Sequence, residues 1–151
     1  MSTVQFTPRG FLRACTTYLV PGLIISVLLS HVAEPPTWQP KGLSALLLVM
    51  IPIVLVAPLI ETFVLIYPTS LAGQVQKNRW AASVTGAIPL VSLHFVNGWP
   101  SVVGVAWGFV WSAHCWLALS EQEIPFWPRY AFLVGMHAVG NVIAISLGAF
   151  D

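Results

Sequence analysis

The sequence predicts an all-α fold: a polytopic transmembrane helix bundle of about five spans with a cytoplasmic N-terminus, a single integral membrane domain over residues 1–151. Three observations predict it. The chain is 57% hydrophobic and only 7% charged, where a soluble domain carries about 25% charged residues, and eleven Asp, Glu, Lys and Arg side chains cannot clothe a soluble fold of this size. Apolar stretches fall at 11–31, 43–72, 80–97, 101–118 and 129–149, each near or above the roughly 17–20 residues that cross a bilayer. The short connectors "EPPTWQPKG", "GQVQKNR", "GWP" and "SEQEIPFWP" hold six of the eleven charged residues, several prolines, and Trp38, Trp99 and Trp127, residues suited to an interfacial aromatic belt.

The same composition excludes other classes. A net charge of +1 with no basic tract gives no footprint for nucleic acid. Cys15 and Cys115 lie in apolar runs without metal-ligand spacing and read as small buried hydrophobes.

The first stretch has a basic start and an apolar run, as a signal peptide would. It is expected to stay as an uncleaved span, because His31 would occupy a small position of the cleavage pattern around "SHVA". The second stretch is long: thirty residues make a helix of about 45 Å against a hydrocarbon core of about 30 Å. It is either one kinked span or two short ones, with Pro52, Pro58 and Pro68 as places to bend or break. Charge arbitrates. With one span and the N-terminus inside, Arg9, Arg13, Lys77, Arg79 and Arg129 are cytoplasmic and only Lys41 is outside, whereas two spans turn Lys41, Lys77, Arg79 and Arg129 outward. The positive-inside rule selects five spans.

That topology sets depths. At 1.5 Å per residue from the cytoplasmic helix ends, Glu61 lies about 16 Å deep, His94 about 21 Å, His137 about 12 Å and Asn141 about 18 Å. His114 stays about 6 Å from its cytoplasmic end and reads mainly as structural; His31 sits at the outer end of the first span. Glu61 is the only acid within a span, and a carboxylate at that depth must face the bundle interior with partners. His137 and Asn141, at i and i+4, share a helical face that continues through the small residues Ala144 and Gly148. Gly104, Gly108, Ser112 and Cys115 form a second small stripe.

A glutamate, two histidines and an asparagine around one pocket suit water activation at a carbonyl, the carboxylate as general base and the N–H groups as oxyanion donors. Two histidines and a glutamate are also a zinc set, but the HExxH spacing is absent, as is GxSxG. No metal or cofactor is expected.

In this order the residues resemble the CAAX prenyl endopeptidase and bacteriocin-processing (CPBP, Abi) family of glutamate-dependent intramembrane proteases, whose motifs are EExxxR, FxxxH and HxxxN. "APLIETFVLI" resembles the first through Glu61, "LVSLH" the second through His94, and "HAVGN" the third through His137 and Asn141. The likeness covers about residues 43–149. It implies a metal-independent endopeptidase in which Glu61 activates water and His94, His137 and Asn141 bind the oxyanion. Its substrate would be a peptide or a membrane-anchored protein tail, and its location a bacterial inner (cytoplasmic) membrane. Thr62, Ile66 and Leu90 stand where the family has Glu, Arg and Phe; losing an acid and a base together removes an ion pair without stranding a charge. The alternative is an inactive relative acting as a structural or assembly subunit of a larger membrane complex, with His94, His114 or His137 contacting a haem or chlorophyll-type pigment. A proton relay through Glu61 and the histidines ranks last, since the broken-helix repeats of transporters are missing.

Overall fold

The chain's prolines, rather than its glycines, mark out its helices. A computed structural model describes residues 4–29, 48, 50–97 and 99–146, and all regular structure among them is helical. Helix α1 spans Pro8–Leu29. Its start suits Pro8, whose missing N–H is an orphan there anyway, and the Thr7 hydroxyl accepts from the Gly10 N–H at 3.0 Å. A π-helical turn, Pro52–Val56, runs unbroken into α2, Ala57–Val75. Asn78 then caps α3, Arg79–Leu93, by accepting from the N–H groups of Trp80 and Ala81, and a 3-10 turn, His94–Asn97, extends it. Helix α4 is Trp99–Ser120 and α5 is Phe126–Ser146. Between them Glu123 takes a left-handed conformation, φ 58°, and the Ile124 N–H returns to the Leu119 carbonyl, closing α4 as a C-terminal cap does.

The described part of each apolar stretch is helical. The 43–72 stretch is one continuous helix from Pro52 onward, because Pro58 stands at its first turns and Pro68 is carried inside α2. The start of that stretch, with His31, Trp38, Lys41 and Gly148, lies outside the described residues. By length and hydropathy, one described helix, Pro52–Val75 (24 residues, mean hydropathy 1.8), is sufficient to cross a bilayer. The regular part of α3 is shorter, 15 residues, or about 22 Å.

Polarity is distributed outside-in. Thr62, Thr69, Ser83, Ser112, His114 and His137 are buried, while Leu55 of the π turn and Leu59, Phe63, Tyr67, Leu71 and Val75 of α2 face outward. Small residues set the closest approaches. A Cβ on Gly86 of α3 would lie 2.5 Å from the Thr69 Cα of α2, so only glycine permits that backbone contact. Tyr18 of α1 fills the space over two glycines: a Cβ would lie 3.0 Å from its ring at Gly108 of α4 and 2.5 Å at Gly140 of α5. Gly108, Ser112 and Cys115, three members of the expected small stripe, are buried.

Two carbonyls that proline leaves without a donor are recovered across the bundle. Pro21 has no N–H for the Thr17 carbonyl four residues earlier, and the Trp107 indole of α4 donates to it at 2.9 Å. In the π turn the Ala57 N–H reaches back five residues to the Pro52 carbonyl. The next carbonyl, Ile53, would in that register need the N–H that Pro58 lacks. The Asn141 amide of α5 supplies the missing donor at 2.7 Å. Buried helices tolerate proline when a neighbour re-satisfies the freed group in this way.

At one end of the bundle the chain segments are tied together. The Gln122 amide donates to the Val4 carbonyl at 2.6 Å, and Arg79 forms a two-point ion pair with Glu121. The start of α1, the α2–α3 turn and the α4–α5 turn therefore meet there.

Candidate active site

Glu61 lies one turn into α2, on the side away from Phe63 and Tyr67 that turns toward α3 and α5. It stands between two imidazoles. His137 of α5 brings Nε2 to 3.4 Å from one carboxylate oxygen, and His94, at the end of α3, brings Nε2 to 4.0 Å from the other. The side chains are 26%, 10% and 18% exposed for Glu61, His137 and His94, so the carboxylate is largely withdrawn into the bundle. Three helices with long sequence separation contribute one group each.

The His94 ring is oriented by its own helix. Its Nδ1 lies 3.0 Å from the Leu90 carbonyl, an acceptor only, so Nδ1 carries the proton and a neutral ring presents Nε2 to Glu61 as an acceptor. At 4.0 Å the two are beyond direct hydrogen bonding, a separation at which a water becomes the natural bridge.

Asn141 shares a face with His137, as the i, i+4 spacing predicts, yet the bond it makes is to the Ile53 carbonyl and not to Glu61. It holds the π turn that precedes Glu61 by two helical turns. Its second amide hydrogen and its oxygen have no partner among the hydrogen bonds of the described residues.

Two residues that the sequence left out of the site line it. Phe109 of α4 is buried and touches both imidazoles, with ring centroids 5.1 Å from His94 and 5.8 Å from His137. Tyr18 lies on the other side of His137, at 6.2 Å. The signal for Tyr18 is present in the sequence: two small stripes on later helices need a large side chain to fill them, and Tyr18 is the one tyrosine of the first span. Phe109 carries no such signal among so many aromatics.

Three neighbours of the cluster in sequence are packed. Thr62, Ile66 and Leu90 are 3%, 7% and 3% exposed, so none of the three faces open space. His114 stays apart from the cluster. It stacks on Trp80 at a centroid distance of 4.0 Å and lies 5.4 Å from Trp111, within a cluster of tryptophans. Among the described residues no three His, Cys, Asp or Glu side chains are placed to hold one metal ion. No family model, no curated protein and no solved structure matches the chain.

Proposed function

We propose that this protein is an integral membrane endopeptidase of the CPBP-like kind, hydrolysing a peptide or the tail of a membrane-anchored protein with Glu61 as general base. The carrying observation is the placement of the Glu61 carboxylate between His137 and His94 on three different helices. A membrane setting is supported by the outward apolar face of α2 and the inward polar groups, a distribution that a soluble protein's exterior does not tolerate over so large an area. Five spans with the N-terminus in a bacterial cytoplasm agree with the gathering of Arg79, Lys77 and Arg129 at the same end as the start of α1.

The chemistry follows from the ring orientations. A water between Glu61 and His94 gives one proton to the carboxylate while its other hydrogen is held by His94 Nε2, and its oxygen attacks the peptide carbonyl. The negative charge that develops on that carbonyl oxygen meets the N–H of His137 and the free amide hydrogen of Asn141. Collapse breaks the C–N bond, and Glu61 returns the proton to the leaving amine. His94 then acts on the water, and the oxyanion is left to His137 and Asn141, a narrower division of labour than the family resemblance implies. Phe109 and Tyr18 fix the histidines and keep bulk water off the site.

The test is a comparison of membrane-protein termini in cells carrying wild type or Glu61→Gln. Processing products present only with wild type are expected, with equal amounts of folded protein. A second reading, an inactive subunit of a larger membrane complex, draws on one observation: the Asn141 amide already serves the backbone. On that reading Glu61→Gln is silent and the chain is recovered at fixed stoichiometry within an assembly.

A further inference from the structure

The α2–α3 turn, the end of α4 and the start of α5 line a half-open cavity of about 400 Å³ at the basic end of the bundle, far along α2 from Glu61. Its wall carries Lys77, Arg79 and Arg129 against one carboxylate, Glu121. Arg79 holds that carboxylate at both oxygens, which cancels the pair. Lys77 and Arg129 have no acidic partner among the described residues. The Arg129 guanidinium lies 4.0 Å from the Trp116 ring centre, and that indole is itself fixed by donating to the Ser70 hydroxyl at 2.9 Å. Arg129 Nε is buried without an acceptor, although a charged donor withdrawn from water costs stability until an acceptor meets it.

We propose that this cavity binds a phosphate-bearing anion, the headgroup of an anionic phospholipid, through Arg129 and Lys77. Guanidinium matches phosphate geometry, and lysine adds a point charge. Basic pockets between helices on the cytoplasmic side of a membrane recognise such headgroups. The exposed apolar residues Leu71 and Val75 flank the lining residues Gly73 and Gln74 in α2, so acyl chains on that face bring their headgroup level with the cavity. The proposal rests on the membrane reading and is independent of the hydrolytic one.

The experiment uses the full chain purified in a neutral maltoside detergent. It is exchanged into mixed micelles of phosphatidylglycerol and phosphatidylcholine with equal acyl chains, and the retained lipid is counted by native mass spectrometry. Each basic side chain is expected to contribute about fivefold to the preference for phosphatidylglycerol. Lys77→Gln, at an exposed position where folding is not at risk, and Arg129→Gln should each lower it by about that factor, and Arg129→Lys should recover part of the loss. Titration with inorganic phosphate, read by Trp fluorescence, separates the sources. Phosphate that binds wild type while no lipid preference exists assigns the same site to a soluble phosphate, and phosphate that fails to displace the lipid assigns it to the headgroup. Equal retention of the two lipids together with no phosphate binding, or a preference unchanged in both glutamine variants, overturns the proposal. If the chain fractionates away from membranes, the membrane reading fails and the phosphate titration still decides the site. Glu61→Gln keeps the preference, whatever becomes of the hydrolytic reading.

Discussion

Thr17 and Ile53 present the same backbone problem at two places and receive different solutions. Each carbonyl loses its helical donor to a proline, Pro21 or Pro58, and each is recovered by a side chain from another helix. At Thr17 the donor is an indole, Trp107, with a single N–H and a rigid ring. At Ile53 the donor is an amide, Asn141, one turn from His137 and on the helix that brings His137 to Glu61. A tryptophan spends its only donor on the repair. An asparagine keeps a second N–H and an oxygen, so the same residue can hold the π turn and still offer hydrogen-bonding atoms. The first repair therefore uses up its donor, whereas the second leaves polar atoms one turn from His137.

The sharpest way to break the comparison is at the chemical end. His137→Ala should lower cleavage by about 100-fold or more, the range lost with an oxyanion donor, with an intact fold by circular dichroism; retained cleavage removes His137 from the site. Asn141→Leu should cost stability and cleavage together. The stranded, part-buried Ile53 carbonyl costs at most about 1–3 kcal/mol, read as a fall in thermal midpoint in detergent. Trp107→Phe should cost about the same stability for the stranded Thr17 carbonyl and leave cleavage per folded molecule unchanged. Equal losses of activity in the two variants would erase the distinction between the regions.

A double-mutant cycle sharpens it. Pro58→Ala restores an N–H that the Ile53 carbonyl can accept, so Pro58→Ala should be least costly, or even favourable, in the Asn141→Leu background. A coupling of about 0.5–3 kcal/mol is expected for two groups sharing one partner, and strict additivity would show that the proline does not create the orphan. At the small end, Arg79→Gln removes an ion pair whose members are 30% and 58% exposed, and screening holds its worth to about 0–1 kcal/mol. A loss well beyond that would make the tied end of the bundle a determinant of the fold rather than a surface contact.

Much of this was legible in the amino-acid order. The connectors "GQVQKNR" and "SEQEIPFWP" separate helices within a few positions of their actual ends, and helical rise along the apolar stretches already sets Glu61, His94 and His137 at similar levels, where the structure brings them together. The Asn141 bond was not legible. It depends on a local shift of register from α to π, which moves the orphan carbonyl to Ile53, and no residue spacing announces that shift. Phe109 was hidden for another reason: its contact with both histidines is set by how α4 rotates against α3 and α5, a tertiary quantity. Tyr18 stood between, since the glycines that receive it are visible in sequence but the pairing of α1 with them is not.

The most direct measurement is quantitative mapping of protein termini across the membrane proteome of cells expressing wild type or Glu61→Gln at equal, folded levels. If Glu61 activates water, a defined set of cleaved membrane proteins or peptides disappears with the glutamine variant, because an amide cannot take the proton while its shape and packing are kept. Identical termini in the two strains, with both proteins folded in the membrane, would contradict a hydrolytic role for the Glu61 cluster and leave it as interhelical hydrogen bonding.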